Sequence, residues 1–450
     1  MISDRVHREL TNLLGPENII TCRDGLIPFA TDATKLSYMP DAVAFPRNAQ
    51  DISRILVLAN QEEFPVIPRG AGSGKSGGAL PVEGGLVLSM DRFNRILLID
   101  PNNLIAKAET GVVTSVLQEE VEKLDLFYPP DPASINISTI GGNIAENAGG
   151  LRAVKYGVTR DYVLGMTAVL PTGEIIKTGV ETAKGVVGYD LTRLLVGSEG
   201  TLAVITEVTL RLVPKPASTR TMMALFRTVS SAVETVSEIS RHKIIPTALE
   251  LMDRLCVDCV RDELGLSLTP ECGALLLIEV DGDKALTKRE ANRIREICLQ
   301  SGAIEFLTAS RKKDAEKLWE ARRNVSPAVY KLRPDKVSED VVVPRSRMAE
   351  LSSFLDALGR EYNLPIAAYG HAGDGNIHVN VLFDRNVPEE TQKVGEVVRD
   401  LFRKVLDMKG TISGEHGIGL TKAPYLSMEL SRPAIELMAR IKLAFDPKGI

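Results

Sequence analysis

Thr139-Ile140-Gly141-Gly142-Asn143-Ile144-Ala145-Glu146-Asn147-Ala148-Gly149-Gly150 carries two Gly-Gly pairs with asparagines between them. Glycine pairs let backbone approach a flat ligand closely. Asparagine adds amide donors and acceptors for the edge of a ring. We read this stretch as a binding loop, opened by Pro129-Pro130-Asp131-Pro132 and followed by Lys155-Tyr156-Gly157. An earlier segment has the same character. Pro68-Arg69-Gly70-Ala71-Gly72-Ser73-Gly74-Lys75-Ser76-Gly77-Gly78 follows an apolar, strand-like run and holds five glycines between 70 and 78. Closely spaced backbone N–H groups after a strand make a nest for a pyrophosphate-like anion. A third run, Gly197-Ser198-Glu199-Gly200-Thr201, leads into the apolar strand that contains Val204 and Ile205.

Two common motifs are mimicked here and rejected. Gly74-Lys75-Ser76 looks like the end of a P-loop, but Arg69 stands where that motif needs glycine. Gly72, Gly74 and Gly77 match GxGxxG in letters. Both motifs require a helix to open at the glycines. Gly77, Gly78, Pro81, Gly84 and Gly85 forbid one.

Around these loops the chain is ordinary in composition. It has 450 residues, 44% hydrophobic and 25% charged, with formal net charge -5. That length implies more than one core. The negative charge argues against nucleic acid as a partner. No apolar run is long enough for a transmembrane segment. The N-terminus lacks the apolar core of a secretion signal, and five cysteines show no disulfide framework, so the expected location is cytoplasmic. Cys256 and Cys259 form a CxxC with Cys272 beyond it, too few ligands for an iron–sulfur cluster. They read as buried helical thiols.

Before residue 214, short β-rich runs alternate with helices at 49–60 and 114–124. Pro214-Lys215-Pro216 marks a boundary. Beyond it, two strand–helix–strand units (TMMALFRTV to PTALELMD, GALLLIEV to AIEFLTA) predict an α+β domain with helices on one face of an antiparallel sheet. The tail 431–446 reads as amphipathic helix.

Three of the five histidines, His371, His378 and His416, fall in the glycine-rich segments YGHAGDGNIHVNV and SGEHGIG. On one straight strand His371 and His378 face opposite sides, but Ala372-Gly373-Asp374-Gly375 is strong turn chemistry that reverses the chain and can bring both imidazoles together. Asn380 shares a face with His378. Glu415 supplies a hard oxygen donor, and two histidines with a carboxylate suit a divalent metal: zinc, iron or manganese. On the helix around Trp319, Arg322 and Ser326 lie one turn apart. The guanidinium fork matches a carboxylate, although a solvated helix face is the competing reading.

Together the three glycine segments resemble the FAD-binding domain of the vanillyl-alcohol oxidase and p-cresol methylhydroxylase (PCMH) superfamily, and the likeness runs over nearly the whole chain. The branch they resemble holds the glycolate oxidase flavin subunit and FAD-linked D-lactate dehydrogenase. TIGGNIAENAGG, KYG and GSEGTL carry it; Lys75 departs from the usual uncharged residue. The resemblance implies an α+β fold: a PCMH-type two-part FAD-binding domain (1–214), an α+β substrate (cap) domain with an antiparallel sheet (215–420), and a helical segment (421–450) returning to the FAD domain. It implies that Arg69, Gly70, Ala71, Gly72, Ser73 and Gly74 cradle the FAD pyrophosphate. Pro130, Asp131, Thr139, Gly141, Gly142, Asn143, Asn147 and Gly149 line the isoalloxazine and ribityl side, with Tyr156, Gly157 and Gly200 in the motifs beside them. Val204 and Ile205 lie near the adenine. The FAD is expected to be non-covalent, since no histidine stands between His7 and His242.

In the second half, the resemblance makes His371, His378 and Glu415 ligands of a divalent metal and His416 the catalytic base. Asn380 stands beside them, Arg322 binds the substrate carboxylate, and Ser326 assists. The implied reaction is oxidation of a small D-2-hydroxy acid of lactate or glycolate type to the 2-oxo acid, with hydride transfer to flavin. An iron–sulfur subunit, an electron-transfer flavoprotein or a quinone would take the electrons, and such a partner could hold the protein at a membrane surface. Two alternatives remain. Arg322 and the histidine pair disfavour an alcohol or sugar oxidase; the intact His371, His378, Glu415 and His416 set disfavours a non-catalytic electron relay.

Overall fold

The computed structural model describes residues 2–182, 184–264 and 269–450. The chain forms two compact units. The first comprises residues 1–149, 157–215 and 415–450; the second comprises 150–156 and 216–414. Among the described residues, no helix is long and apolar enough to cross a membrane.

Among the described residues, the first unit holds three sheets. Strands β1 (Ile19–Ile20), β2 (Ala42–Ala44), β3 (Val66–Arg69) and β4 (Leu86–Ser89) form one in the order β1-β2-β4-β3, with β2, β4 and β3 parallel. Its core takes Val6, Leu10 and Leu14 from helix Asp4–Leu14, and Ile52, Ile55 and Ala59 from helix Ala49–Glu62. Asn48 caps the latter by accepting the Asp51 N–H, which starts it where the sequence reading put it. Strands β5 (Ile96–Asp100), β6 (Ile105–Glu109), β8 (Val163–Val169), β9 (Ile175–Gly179) and β10 (Val204–Arg211) make an antiparallel sheet ordered β5-β6-β10-β8-β9. Strands β7 (Leu126–Phe127) and β11 (Val213–Pro214) pair separately.

The second unit is built on one seven-stranded antiparallel sheet. Its strands are β12 (Ser218–Phe226), β13 (Ala248–Asp253), β14 (Ala274–Gly282), β15 (Glu305–Thr308), β16 (Asp335–Val342), β17 (Ile366–His371) and β18 (Asn376–Phe383). Their order is β15-β12-β14-β13-β17-β18-β16. Met223, Leu225, Met252, Leu275 and Leu277 share a cluster with Cys256 and Cys259 of the short helix Arg254–Cys259, and with Leu318, Ala321 and Val325 of helix Lys312–Ala328. Helices Val229–Arg241, Lys284–Gln300, Met348–Tyr362 and Pro388–Asp407 lie against the same sheet. None of their residues belongs to that cluster, so they cover the opposite face. The expectation of helices on one face is therefore corrected. β18 is buried at every position and β14 at Ala274 through Ile278, which is the pattern of strands covered on both sides.

Candidate functional site

In the first unit the three glycine segments converge. The chain leaves β3 at Arg69 and runs from 70 to 85 without the helix that both phosphate motifs require, in keeping with their rejection. The stretch read as a second loop is instead a short helix, Ile140–Glu146, capped by Thr139, whose hydroxyl accepts the Gly142 N–H at 3.2 Å. Packing overrides the low helix propensity of glycine here. A Cβ on Gly141 would lie 2.7 Å from Thr110 Cβ and 3.0 Å from its carbonyl oxygen. A Cβ on Gly70 would lie 2.4 Å from Thr139 Oγ1, so the first loop sits directly on the cap of the second. The third segment hangs on the same helix, with Gly197 N–H donating to Ile144 O and Glu199 N–H to Ala145 O.

Carboxylates close this cluster. Ser76 Oγ donates to Glu146 Oε1 at 2.7 Å, while Glu199 accepts the N–H groups of Ile418 and Gly419 at 2.8 and 2.7 Å. Burial, with Glu199 adding repulsion, pushes the Glu146 carboxyl up to about 7 against the opposing Ser76 hydrogen bond.

Several residues expected at the flavin serve the scaffold with their side chains. The Arg69 guanidinium donates to the carbonyls of Pro28, Thr31 and Ala79, and burial lowers its pKa. The Arg69 side chain braces the loop and is committed to the scaffold. Asn143 Nδ2 is committed to Thr114 Oγ1, and Asn147 Oδ1 to the Arg160 N–H. Pro130 O and the buried Asp131 flank this region, with Gln118 donating to the former. Gly149 faces Glu415, whose Oε2 lies 3.0 Å from where a Cβ would stand. Gly157 and Gly200 have φ of +81° and +71°, the left-handed conformation that favours glycine. Val204 pairs with Val169, and Ile205 O accepts from Thr110. Tyr156 belongs to the second unit, where its hydroxyl donates to Asp281 at 2.8 Å.

The second unit holds His371, His378, Asn380, Arg322 and Ser326; Glu415 and His416 belong to the first. The 372–375 turn joins β17 to β18 with Tyr369 opposite His378 and His371 opposite Asn376. The two imidazoles stand edge to face with centroids 5.2 Å apart, and they offer ring nitrogens within 4.8 Å of one another. On β13, Glu250 lies directly opposite His371. Glu250 Oε1 is 2.7 Å from His371 Nδ1, and Oε2 accepts from Arg322 Nε at 2.9 Å and Nη2 at 2.6 Å. Burial alone would raise the Glu250 carboxyl; His371 and Arg322 outweigh it and hold the group below its ordinary value. Arg322 is therefore no solvated helix residue. It is 6% exposed and stacks 4.7 Å above the Tyr369 ring.

Ser326 receives Lys336 Nζ on its hydroxyl at 2.9 Å and on its carbonyl at 2.6 Å. Asn380 is fully buried, donates to Ala367 O and His378 O, and has an Oδ1 without a hydrogen-bond partner. The segment before Glu415 is pinned to the edge strand. Thr411 bridges to Val342, and Gly414 N–H donates to the buried Asp340 at 2.7 Å. Glu415 and His416 follow Gly414 in the chain and precede Gly417, whose φ is +80°.

Sequence reading missed Glu250 and Asp340. Glu250 carried a signal, being an acid inside the apolar run ALELM.

Residues 40–179 match the family described as FAD binding domain, and residues 215–450 match FAD linked oxidases, C-terminal domain. The chain belongs to the FAD-linked oxidase family. A similar member is the glycolate oxidase subunit GlcD of Bacillus subtilis, 44% identical over 451 residues, which span 100% of this chain and 96% of that protein. Other members include a D-lactate dehydrogenase of Anaerostipes hadrus (37% identical, 91% of this chain, 88% of that one) and one of Archaeoglobus fulgidus (39%, 91% and 89%). The fold is similar to that of p-cresol methylhydroxylase, with a TM-score of 0.80 over 99% of this chain and 95% of that one at 18% identity. An FAD-linked oxidase needs close backbone approach along its cofactor. The glycine positions of the converging loops fit that need.

Proposed function

We propose that this protein oxidises a small D-2-hydroxy acid, of lactate or glycolate type, to the 2-oxo acid with FAD. The observation that carries the reading is the buried Arg322–Glu250–His371 array beside His378 on one sheet face. A fixed guanidinium suits a carboxylate substrate, and the names of the relatives point the same way. Glu250 takes the Nε–Nη2 edge of Arg322, and the substrate carboxylate is met at the Nη1–Nη2 edge. Because Glu250 and the Tyr369 ring hold the guanidinium, little reorganisation is needed when substrate arrives.

His371, His378 and Glu415 would be the residues to hold a zinc, iron or manganese ion. The paired imidazoles and the carboxylate behind His371 fit such an ion. When bound, FAD supplies the two-electron acceptor and the ion supplies Lewis acidity. His416 takes the hydroxyl proton as general base, while the α-hydrogen departs as hydride. Asn380 and Ser326 contribute polar contacts. The flavin is held non-covalently, so acid precipitation should release it. An iron–sulfur subunit, an electron-transfer flavoprotein or a quinone would be the acceptor that takes the electrons onward.

Anaerobic flavin bleaching tests the reading. D-Lactate, glycolate and D-2-hydroxyglutarate are compared with L-lactate and with alcohols and sugars lacking a carboxylate. Bleaching by D-2-hydroxy acids or glycolate, and by none of the uncharged alcohols, is expected. Equal bleaching by an uncharged alcohol, or none by any hydroxy acid, would overturn it.

A further inference from the structure

Glu250 is fully buried in β13, and each of its oxygens is committed to a different element. Oε1 faces His371 Nδ1 on β17, and Oε2 faces two nitrogens of Arg322 on helix Lys312–Ala328. An ionised carboxylate only accepts hydrogen bonds, and the permanently charged Arg322 at 2.6 Å keeps Glu250 ionised. The hydrogen in the 2.7 Å contact must therefore sit on Nδ1 of His371. A neutral imidazole protonated at Nδ1 carries its lone pair on Nε2.

We infer that Glu250 is a positioning residue that sets two functional groups at once. It fixes His371 as the Nδ1–H tautomer, with the ligating lone pair on Nε2, and it sets the angle of the Arg322 fork. This inference rests on the proposed function for the purpose of those groups, but the tautomer itself does not depend on any ion. The strand register supports it: Glu250 opposes His371, and Met252 opposes Tyr369, the ring beneath Arg322. Backbone pairing thus determines the distance from the carboxylate to both partners. An ion pair serving stability alone could be replaced by apolar side chains of similar volume. Here the carboxylate instead links one imidazole of the pair to the carboxylate-binding guanidinium.

The test uses the full-length FAD-loaded protein and Glu250→Gln. Glutamine has one acceptor oxygen and one NH2 group. Its oxygen stays with Arg322, and its NH2 then requires a lone pair on His371 Nδ1, which moves the imidazole hydrogen to Nε2. Nitrogen-15 histidine spectra of metal-free protein, assigned by the signal lost in His371→Ala, should show Nδ1–H in wild type and Nε2–H in Glu250→Gln. Affinity for added Zn2+ or Mn2+ should fall 10–100-fold in the variant, with flavin content unchanged. Glu250→Asp, which keeps an acceptor-only carboxylate, should retain the Nδ1–H tautomer and serves if Glu250→Gln folds poorly. Wild-type His371 found as Nε2–H, or a tautomer and metal affinity indifferent to Glu250→Gln, would overturn the inference. A tautomer that switches in a protein that binds neither ion would support the positioning role and overturn the metal reading alone.

Discussion

Ser76 donates its hydroxyl to Glu146 across 70 residues of sequence, and Glu146 Oε2 is buried without a hydrogen-bond partner. Burial and then Glu199 lift this carboxyl from its ordinary 4.5 to about 7. The folded state thus holds a proton that the unfolded chain releases. Stability from this group is full below about 4.5, falls as pH rises toward about 7, and is flat above it. Glu146→Gln should flatten that slope and stabilise the protein at pH 8 by about 1–3 kcal/mol. Urea unfolding at pH 5 and pH 8 checks it; an unchanged slope would remove Glu146 as its source.

Glycine to alanine inside a helix ordinarily stabilises by about 1 kcal/mol. At Gly141 the sign should reverse, because the new methyl meets Thr110 at 2.7 Å. Gly141→Ala should cost roughly 1–3 kcal/mol and lower the flavin-to-protein absorbance ratio. Gly142→Ala, whose nearest protein neighbour lies at 3.4 Å, should be close to neutral in folding stability. Equal behaviour of the two variants would show that the close approach at Thr110 does not matter.

Arg322→Lys keeps the charge and loses the fork. Lysine can contact Glu250 but cannot hold two parallel contacts to a second carboxylate. We expect kcat/KM for hydroxy acids to fall roughly 10²-fold, about 2.7 kcal/mol, through a raised KM and a lowered kcat. Unaltered kinetics across the acid panel would confine Arg322 to the ion pair.

His378→Ala and His416→Ala should separate ion binding from proton transfer. His378→Ala should lose the divalent ion and keep FAD, since the glycine loops belong to the other unit. His416→Ala should keep both and lose flavin bleaching. Elemental analysis alongside single-turnover bleaching reads each variant. Wild-type bleaching by His416→Ala would make the base assignment wrong.

What the sequence determined alone was local or carried by motif. Asn48 starts a helix because its side chain caps it, and Ala372-Gly373-Asp374-Gly375 turns because those residues favour reversal. That turn, read with the histidine spacing, already brought His371 toward His378. The glycine segments point to a flavin through their resemblance to the FAD-binding family. What only the tertiary structure decided depends on register and close approach between distant residues. Gly141 is glycine within a helix because Thr110, far away in sequence, leaves no room there for a side chain. Helices cover both faces of the large sheet, although each strand–helix–strand unit read alone leaves the second face open. Arg322 is buried rather than solvated, and Glu250 joins it to His371, because β13 pairs with β17 across 121 residues. Local propensity carries no record of such a pairing; it arises only when the sheet closes and brings the buried Glu250 against the Arg322 guanidinium and the His371 imidazole.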